Sequence, residues 1–146
     1  MPKIAIASDH GGFELKSELI KYYQNKGIDL QDMGTYSADS CDYPDMAQQL
    51  CRAILVGDYE TGILVCGTGI GISIAANRYK GIRAAVLYND DVARLAREHN
   101  NANIAVFGGR TMDKEDVCRR MDIFLQTGFE GGRHQRRIDK LDREGE

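Results

Sequence analysis

Short apolar runs alternate with segments of helical periodicity along most of this chain. Apolar runs favour strands at residues 3–8, 28–33, 61–66, 82–88 and 103–108. A helix is predicted after the first run, ending at Gly27, and others are predicted at residues 43–56, 70–78, 90–99 and 114–126. The pattern therefore predicts five strands, each followed by a helix.

This alternation predicts the fold class. Runs such as GILVC and IRAAVLY are apolar almost throughout, as parallel strands covered on both faces must be. We therefore expect an α/β fold: a doubly wound, five-stranded parallel sheet with helices on both faces, Rossmann-like. One domain spanning residues 1–146 is predicted, in which residues 131–146 form a charged helical tail that packs on the body or on a partner subunit.

Polar and glycine-rich motifs follow three of the predicted strands. Asp9 and His10 follow the first, residues 66–71 follow the third, and residues 108–110 follow the fifth. Since ligands bind beyond the carboxyl ends of such strands, these residues mark the expected site.

Composition narrows the class of function. The net charge of −3 over 146 residues gives no global basic field for nucleic acid. The sequence has no apolar window of membrane-spanning length and no signal peptide, so no membrane association and a cytoplasmic location are expected. The four cysteines form no CxxC pair, which indicates reduced thiols rather than a zinc site or a disulfide framework. Cys51 and Cys118 are interpreted as buried apolar residues.

The stretch ILVCGTGIGISIAAN, residues 63–77, carries the strongest chemical signal. Gly67, Gly69 and Gly71 between a strand and a helix can present backbone amides to an anion, although a tight packing turn is the alternative. The dinucleotide loop requires glycine at the position of Ile72, the nucleoside-triphosphate loop requires a lysine that is missing, and a cysteine phosphatase requires arginine at position 72. A loop for a compact anion beside a thiol remains.

Several side chains could act with this loop. Cys66 precedes a helix N-terminus and could be a nucleophile, a general base or an inert buried thiol. His10, His99 and His134 all adjoin polar or glycine-rich motifs. Arg133 and Arg137 would share a helix face and could bind a phosphate, or could simply form a solvated surface.

A thiol, imidazoles, arginines and backbone donors, with Thr68 in the loop and Asn100 beside His99, suit proton transfer next to the carbonyl of a phosphorylated metabolite. The sequence contains no acidic metal cluster, and no metal site is predicted.

Seven motifs carry a resemblance to a known family. They are SDHGG (8–12), DYPD (42–45), CGTGIGISIAAN (66–77), GIRAA (81–85), REHNNANI (97–104), FGGR (107–110) and EGGRHQRR (130–137). The chain resembles the type B ribose-5-phosphate isomerases, in the group that includes galactose-6-phosphate and allose-6-phosphate isomerases. One subgroup uses a glutamate base at the position of Ile72; this chain has Cys66 and therefore resembles the cysteine type.

The resemblance implies a role for each candidate residue. Cys66 would transfer the proton between C2 and C1, and His99 would open the sugar ring. Thr68 and the amides of Gly67, Gly69, Ile70 and Gly71 would stabilise the enediolate. The remaining residues would hold hydroxyls (Asp9, Tyr43), bind the phosphate (His10, Arg133, Arg137) or contribute to the site (Asn100, Arg110).

The resemblance also implies the assembly and the activity. A homodimer or homotetramer with the site between subunits is expected, with no metal or organic cofactor. The leading hypothesis is an aldose–ketose isomerase for ribose 5-phosphate and ribulose 5-phosphate. The alternatives are an isomerase of a six-carbon sugar phosphate, such as allose 6-phosphate or galactose 6-phosphate, and a non-catalytic module that binds a phosphometabolite.

Overall fold

The computed structural model describes residues 3–143 and contains one five-stranded parallel sheet. Its strands are β1 (Ile4–Ser8), β2 (Gln31–Asp32), β3 (Thr61–Cys66), β4 (Ala84–Val86) and β5 (Ile104–Gly108). They lie in the order β2-β1-β3-β5-β4, and every neighbouring pair is parallel. The predicted fold class is confirmed.

Helices connect the strands and cover both faces of the sheet. They are α1 (Phe13–Gln24), α2 (Tyr43–Leu55), α3 (Ile70–Ala76), α4 (Asp90–Glu98), α5 (Lys114–Gln126) and α6 (Arg133–Asp139), and a 3-10 turn, His10–Gly12, leads into α1. Apolar residues of α1, α4 and α5 form one buried cluster, and those of α2 and α3 form another. Cys51 and Cys118 are buried in these clusters as predicted. None of the helices in residues 3–143 is long and apolar enough to cross a membrane.

The two edge strands are shorter than predicted. Residues 28–33 were expected to form a strand, but only Gln31 and Asp32 pair with β1, and β4 uses three residues of 82–88. An edge strand has a neighbour on one side only, so the local apolar pattern overstates its length. Helix α3 likewise ends at Ala76 rather than residue 78.

A buried lysine fixes the β2 edge to α1. Lys16 has no exposed surface, and its ammonium donates to Asp32 Oδ1 at 2.7 Å and to the carbonyl oxygen of Thr35. The helical periodicity of the sequence gave no sign of this lysine, because charged residues are usually exposed.

The sheet order places β3 at the centre. The connection after β3 leads to the face that α2 and α3 cover, whereas the connections after β1 and β5 lead to the opposite face. Such divergence opens a crevice at the carboxyl ends of the strands, where ligands bind in folds of this kind.

Candidate active site

Three loops meet at the carboxyl ends of β1, β3 and β5. The amide of Gly109 donates to the carbonyl oxygen of Cys66 at 2.8 Å, and the amide of Arg110 donates to that of Gly67 at 2.9 Å. A Cβ at Gly11 would lie 3.0 Å from the Gly67 amide nitrogen and 3.4 Å from Arg110 Cζ. The close approach of these backbones explains the glycines and brings the Arg110 guanidinium to the glycine loop.

The Cys66 sulfur is held by the loop that follows it. Its side chain ends β3, the residue is 5% exposed, and the amide of Gly69 donates to Sγ at 3.2 Å. Gly69 has φ +83°, and a Cβ there would lie 3.1 Å from the carbonyl carbon and oxygen of Phe107. Only glycine fits this conformation without strain, and the turn it makes aims its N–H at the sulfur. The loop thus supplies the sulfur with one backbone hydrogen-bond donor.

The rest of the loop keeps hydrogen-bond donors free. Thr68 is exposed, and its Oγ1 accepts from the amide of Ile70 at 3.1 Å, which leaves the hydroxyl hydrogen to donate elsewhere. Within residues 3–143, the amides of Gly67, Thr68 and Gly71 donate to no internal acceptor. These donors lie in the loop and first helical turn that follow Cys66, and could stabilise a developing oxyanion.

Asp9, His10 and Tyr43 border the same loop. Asp9 is 7% exposed, and its Oδ1 accepts from the amide of Gly12 at 3.1 Å. His10 Nδ1 accepts from the amide of Cys41 at 3.2 Å, so a neutral ring carries its proton on Nε2, where it can donate to a ligand. The Tyr43 ring lies against Gly71, where a Cβ would be 2.8 Å from Cζ.

A second group of predicted residues lines a cavity of about 230 Å³. His99, Asn100 and Arg137 share it with His134, Ile138 and Leu141. The predicted tail helix is confirmed as α6, which Ile138 anchors to the body, whereas Arg133, its first residue, is exposed.

Two arginines support the loop that carries His99 and Asn100. Arg97 Nη1 donates to Asn101 Oδ1 at 2.8 Å and to the carbonyl oxygen of Ala102 at 2.7 Å. Arg83 Nε donates to the carbonyl oxygen of Asn101 at 2.9 Å, and Asn101 has φ +45°. Burial, together with the like charge of Arg83, lowers the pKa of the Arg97 guanidinium. These contacts hold residues 99–103 in one conformation.

Beside this cavity, one carboxylate oxygen contacts the edges of two stacked imidazoles. The rings of His99 and His134 have centroids 4.3 Å apart at an interplanar angle of 14°. Glu130 Oε1 is 3.6 Å from the Nε2 atom of each ring. Desolvation, followed by the nearby positive charges of His99 and Arg133, lowers the pKa of His134.

The two groups of residues lie at opposite ends of the strands. Cys66 ends β3, whereas His99 lies five residues before β5 begins, and β3 and β5 are parallel neighbours. Five residues of strand span roughly 16 Å. One chain therefore gathers Cys66, Thr68, Asp9, His10, Tyr43 and Arg110 in one place and His99, Asn100 and Arg137 in another.

Some residues around these groups were missed in the sequence. Cys41 orients His10 from 31 positions away, and no local pattern reveals that pairing. Glu130 looked like part of a solvated tail, and its contact with His134 depends on the turn at Gly131 and Gly132, which no helical spacing predicts. Arg83 and Arg97 lie within the motifs GIRAA and REHNNANI, but the sequence gave no sign of their role in supporting this loop.

Comparison with known proteins places the chain among sugar-phosphate isomerases. A family model described as ribose/galactose isomerase matches residues 4–141. The chain is 43% identical to the ribose-5-phosphate isomerase B of Escherichia coli over 141 residues, which cover 97% of this chain and 95% of that protein.

Solved structures agree with this assignment. A ribose 5-phosphate isomerase of Thermotoga maritima has a TM-score of 0.95 and 56% identity over 97% of both chains. The ribose-5-phosphate isomerase B of Mycoplasma genitalium, solved with bound ribulose 5-phosphate, has a TM-score of 0.90 and 41% identity over 97% of this chain and 94% of that one. The resemblance noted in the motifs is confirmed, and this chain belongs to the ribose/galactose isomerase family.

Proposed function

We propose that this protein interconverts ribose 5-phosphate and ribulose 5-phosphate through an enediolate, with Cys66 as the base. The observation that carries the proposal is the setting of the Cys66 sulfur. It accepts a hydrogen bond from the Gly69 amide, and the same loop contains backbone donors that have no internal acceptor. The Mycoplasma genitalium relative with bound ribulose 5-phosphate supports the choice of substrate.

The loop suits both proton transfers of the reaction. The Cys66 thiolate removes the proton from C2 of the open-chain aldose, the C1=O double bond becomes a C1–O⁻ bond, and a C1=C2 double bond forms. Free amides of the loop and the Thr68 hydroxyl stabilise that oxyanion. The proton then returns from sulfur to C1 while the O2 hydroxyl loses its proton and becomes the ketone, and O1 gains one. No electron acceptor is needed, because the carbon chain is oxidised at C2 and reduced at C1.

The substrate must first lose its ring form and be held by its phosphate. In this proposal His99 moves the proton that opens the furanose, and Asp9 and Tyr43 hold hydroxyls. His10 Nε2–H is free to donate to a phosphate oxygen, since Nδ1 is used by Cys41. Arg133 and Arg137 complete the phosphate site, with Arg110 and Asn100 beside it.

The distance between the two groups of site residues indicates that more than one copy of the chain builds each site. Because His99 and Arg137 lie at the opposite end of the sheet from Cys66, we infer that a second copy supplies them to each site, in a dimer or a tetramer. All four cysteines are unpaired thiols, which fits a reducing, cytoplasmic location.

Replacing the base tests the proposed chemistry. Cys66→Ala should lower turnover of ribose 5-phosphate by about 10²- to 10⁴-fold, while equilibrium binding of the sugar phosphate stays within a few fold. Exchange of the C2 proton into deuterated water should fall in parallel, which separates an isomerase from a mere binding module. Near-normal turnover in Cys66→Ala would reject Cys66 as the base.

Two comparisons complete the experiment. Cys118→Ala removes a buried thiol of α5 that has no part in the site, and its turnover should match that of the unaltered chain. Specificity constants for ribose 5-phosphate and allose 6-phosphate decide between five and six carbons, and a higher value for the hexose would overturn the substrate assigned here.

A further inference from the structure

The imidazole–carboxylate cluster formed by His99, Glu130 and His134 has the composition of a metal site. One imidazole nitrogen from each histidine and one carboxylate oxygen all lie within 4.8 Å of one another. Each of these side chains can bind a divalent transition metal, and two nitrogens with one oxygen is a donor set typical of Zn²⁺. We propose that this cluster binds one Zn²⁺-like ion and that the bound ion inhibits the isomerase.

The two carboxylate–imidazole distances within the cluster are close to those of a zinc site. Zn–N and Zn–O bonds of about 2.0–2.2 Å in a tetrahedral arrangement separate neighbouring ligand atoms by roughly 3.4 Å. Glu130 Oε1 is already 3.6 Å from Nε2 of both His99 and His134. The carboxylate oxygen therefore needs to move by only a few tenths of an ångström relative to either ring.

The imidazoles must rotate before they can share an ion. The rings are stacked at 14°, whereas two nitrogens that bind one metal point their lone pairs at the same position. The His99 side chain is 40% exposed and that of Glu130 is 52% exposed, so both have room to turn, while His134 at 9% is fixed by its surroundings. His134 would act as the fixed ligand and the other two would close on the ion.

The backbone brings the three ligands together from different parts of the chain. His99 caps the end of α4, and the amide of Glu130 donates to the carbonyl oxygen of Glu98 at 3.0 Å. Gly131 and Gly132 adopt positive φ angles of 72° and 61°, which turn the chain into α6 and return His134 to Glu130. The cluster is thus assembled within one chain.

The bound ion would inhibit the isomerase because it occupies the Nε2 atom of His99. Binding to Zn²⁺ occupies the lone pair of His99 Nε2, and that nitrogen can then neither accept nor donate a proton for ring opening. This consequence depends on the role of His99 under the proposed function, whereas binding of the ion does not. Three protein ligands leave one position open for water.

Binding is measured first, by titrating Zn²⁺ into the full chain carrying Cys66→Ala, so that the thiol cannot compete for the ion. We expect one Zn²⁺ per chain by calorimetry and at least tenfold weaker binding when Glu130→Gln or His134→Asn is added. Glu98→Gln, a neighbouring carboxylate outside the cluster, should bind Zn²⁺ as before, and Mg²⁺ should not bind, because it prefers oxygen ligands. Unchanged Zn²⁺ binding in Glu130→Gln and His134→Asn would overturn the site.

Inhibition is measured next, in the chain that retains Cys66. Zn²⁺ should inhibit isomerisation and EDTA should restore it, and Glu130→Gln should need at least tenfold more Zn²⁺ for half inhibition, measured relative to the metal-free turnover of that variant. If Glu130→Gln and the unaltered chain are inhibited by the same concentration of Zn²⁺, the inhibiting ion binds outside this cluster and the inference is refuted. Zn²⁺ that binds without inhibiting refutes the inhibitory role if His99→Asn is inactive. If His99→Asn is fully active, the assignment of His99 in the proposed function fails instead.

Discussion

The chemistry of the glycine loop depends on which of its hydrogen-bonding groups are already used within the chain. The Gly69 amide is committed to the Cys66 sulfur, and the Ile70 amide to the Thr68 oxygen. The Thr68 hydroxyl hydrogen and the amide of Gly71 remain for a ligand. One residue, Gly69, therefore positions the sulfur and leaves the oxyanion donors to its neighbours.

Replacing Gly69 should damage both stability and catalysis. Gly69→Ala forces a side chain into φ +83° and against the backbone of Phe107 at 3.1 Å, so the free energy of unfolding should fall by about 1–3 kcal/mol. Turnover should fall as well, because the loop must shift and the amide leaves the sulfur. Gly128→Ala is the matched control: a Cβ there meets nothing within 4 Å, and chemical denaturation should give a change of about 0.5 kcal/mol or less. Equal losses in both variants would contradict this account of Gly69.

Residue identities in the site were predictable where the chain supplied a motif. The thiol, the alternate glycines and the polar residues after β1 and β5 all follow from the rule that ligands lie at the carboxyl ends of parallel strands. Two other contacts join residues about 30 positions apart: the hydrogen bond from the Cys41 amide to His10, and the contact between the Glu130 carboxylate and His99. Contacts of that kind depend on tertiary packing, which a local pattern cannot specify.

Among the helices, the contact between α1 and α5 relies on one carboxylate. Asp122 accepts hydrogen bonds from both Tyr22 and Tyr23 and from Lys26 at 3.0 Å. Burial acts to raise the pKa of Asp122, but hydrogen bonds from the two tyrosines and Lys26 outweigh it and hold the pKa below its ordinary value of 3.8. The carboxylate form is thus favoured by folding.

That lowered pKa predicts a pH-dependent contribution to stability. A carboxyl group whose pKa is lower in the folded state stabilises the fold above its unfolded pKa, and the contribution disappears as the pH falls through the folded value. At pH 7, Asp122→Asn should lower the free energy of unfolding by about 1–3 kcal/mol, and the difference from the unaltered chain should shrink below about pH 4.

Asp116→Asn on the same helix serves as the comparison for Asp122→Asn. Its carboxylate is exposed and paired with Arg119, so urea denaturation should show a change of about 1 kcal/mol or less. A difference at Asp122 that persists undiminished at pH 3 would show that the charge is not its source.

The elements themselves were predicted well at the centre of the sheet and poorly at its edges. The third strand was predicted with its observed bounds, because a strand buried on both sides needs an unbroken apolar run. At the edge, residues 28–33 contain Asp29, Gln31 and Asp32, and only two of the six pair with β1. Backbone hydrogen bonds to β1 continue after Asp32, from Met33 to Ile6 and from Ser8 to Gly34, outside the regular ladder.

For the molecule as a whole, the direction of the parallel strands determines how the site can be completed. A single sheet places Cys66 at one end of its strands and His99 at the other, so no bending of the loops within one chain brings them together. Symmetric pairing of two copies allows each to supply what the other lacks. The sequence indicated both halves of the site but could not give their separation, which depends on the register of β3 against β5.

Mixing two inactive variants tests this arrangement. Cys66→Ala and His99→Asn are each expected to be inactive, but when the two are expressed together in equal amounts, about a quarter of the unaltered activity should return. Random pairing makes half of the dimers mixed, and each mixed dimer has one of its two sites intact. Two copies of the same variant form the control and should stay inactive. A mixture that gains no activity would show that each site is built from one chain.

The arginine support beneath residues 99–103 affects how such an assembly would acquire its substrate. Arg83 and Arg97 fix the backbone at Asn101 and Ala102 before any partner or ligand arrives. The entropy of ordering this segment is therefore lost when the chain folds, not when the sugar binds. Two copies could therefore associate without reshaping this segment. When the sugar phosphate binds, none of its binding free energy is lost to ordering residues 99–103.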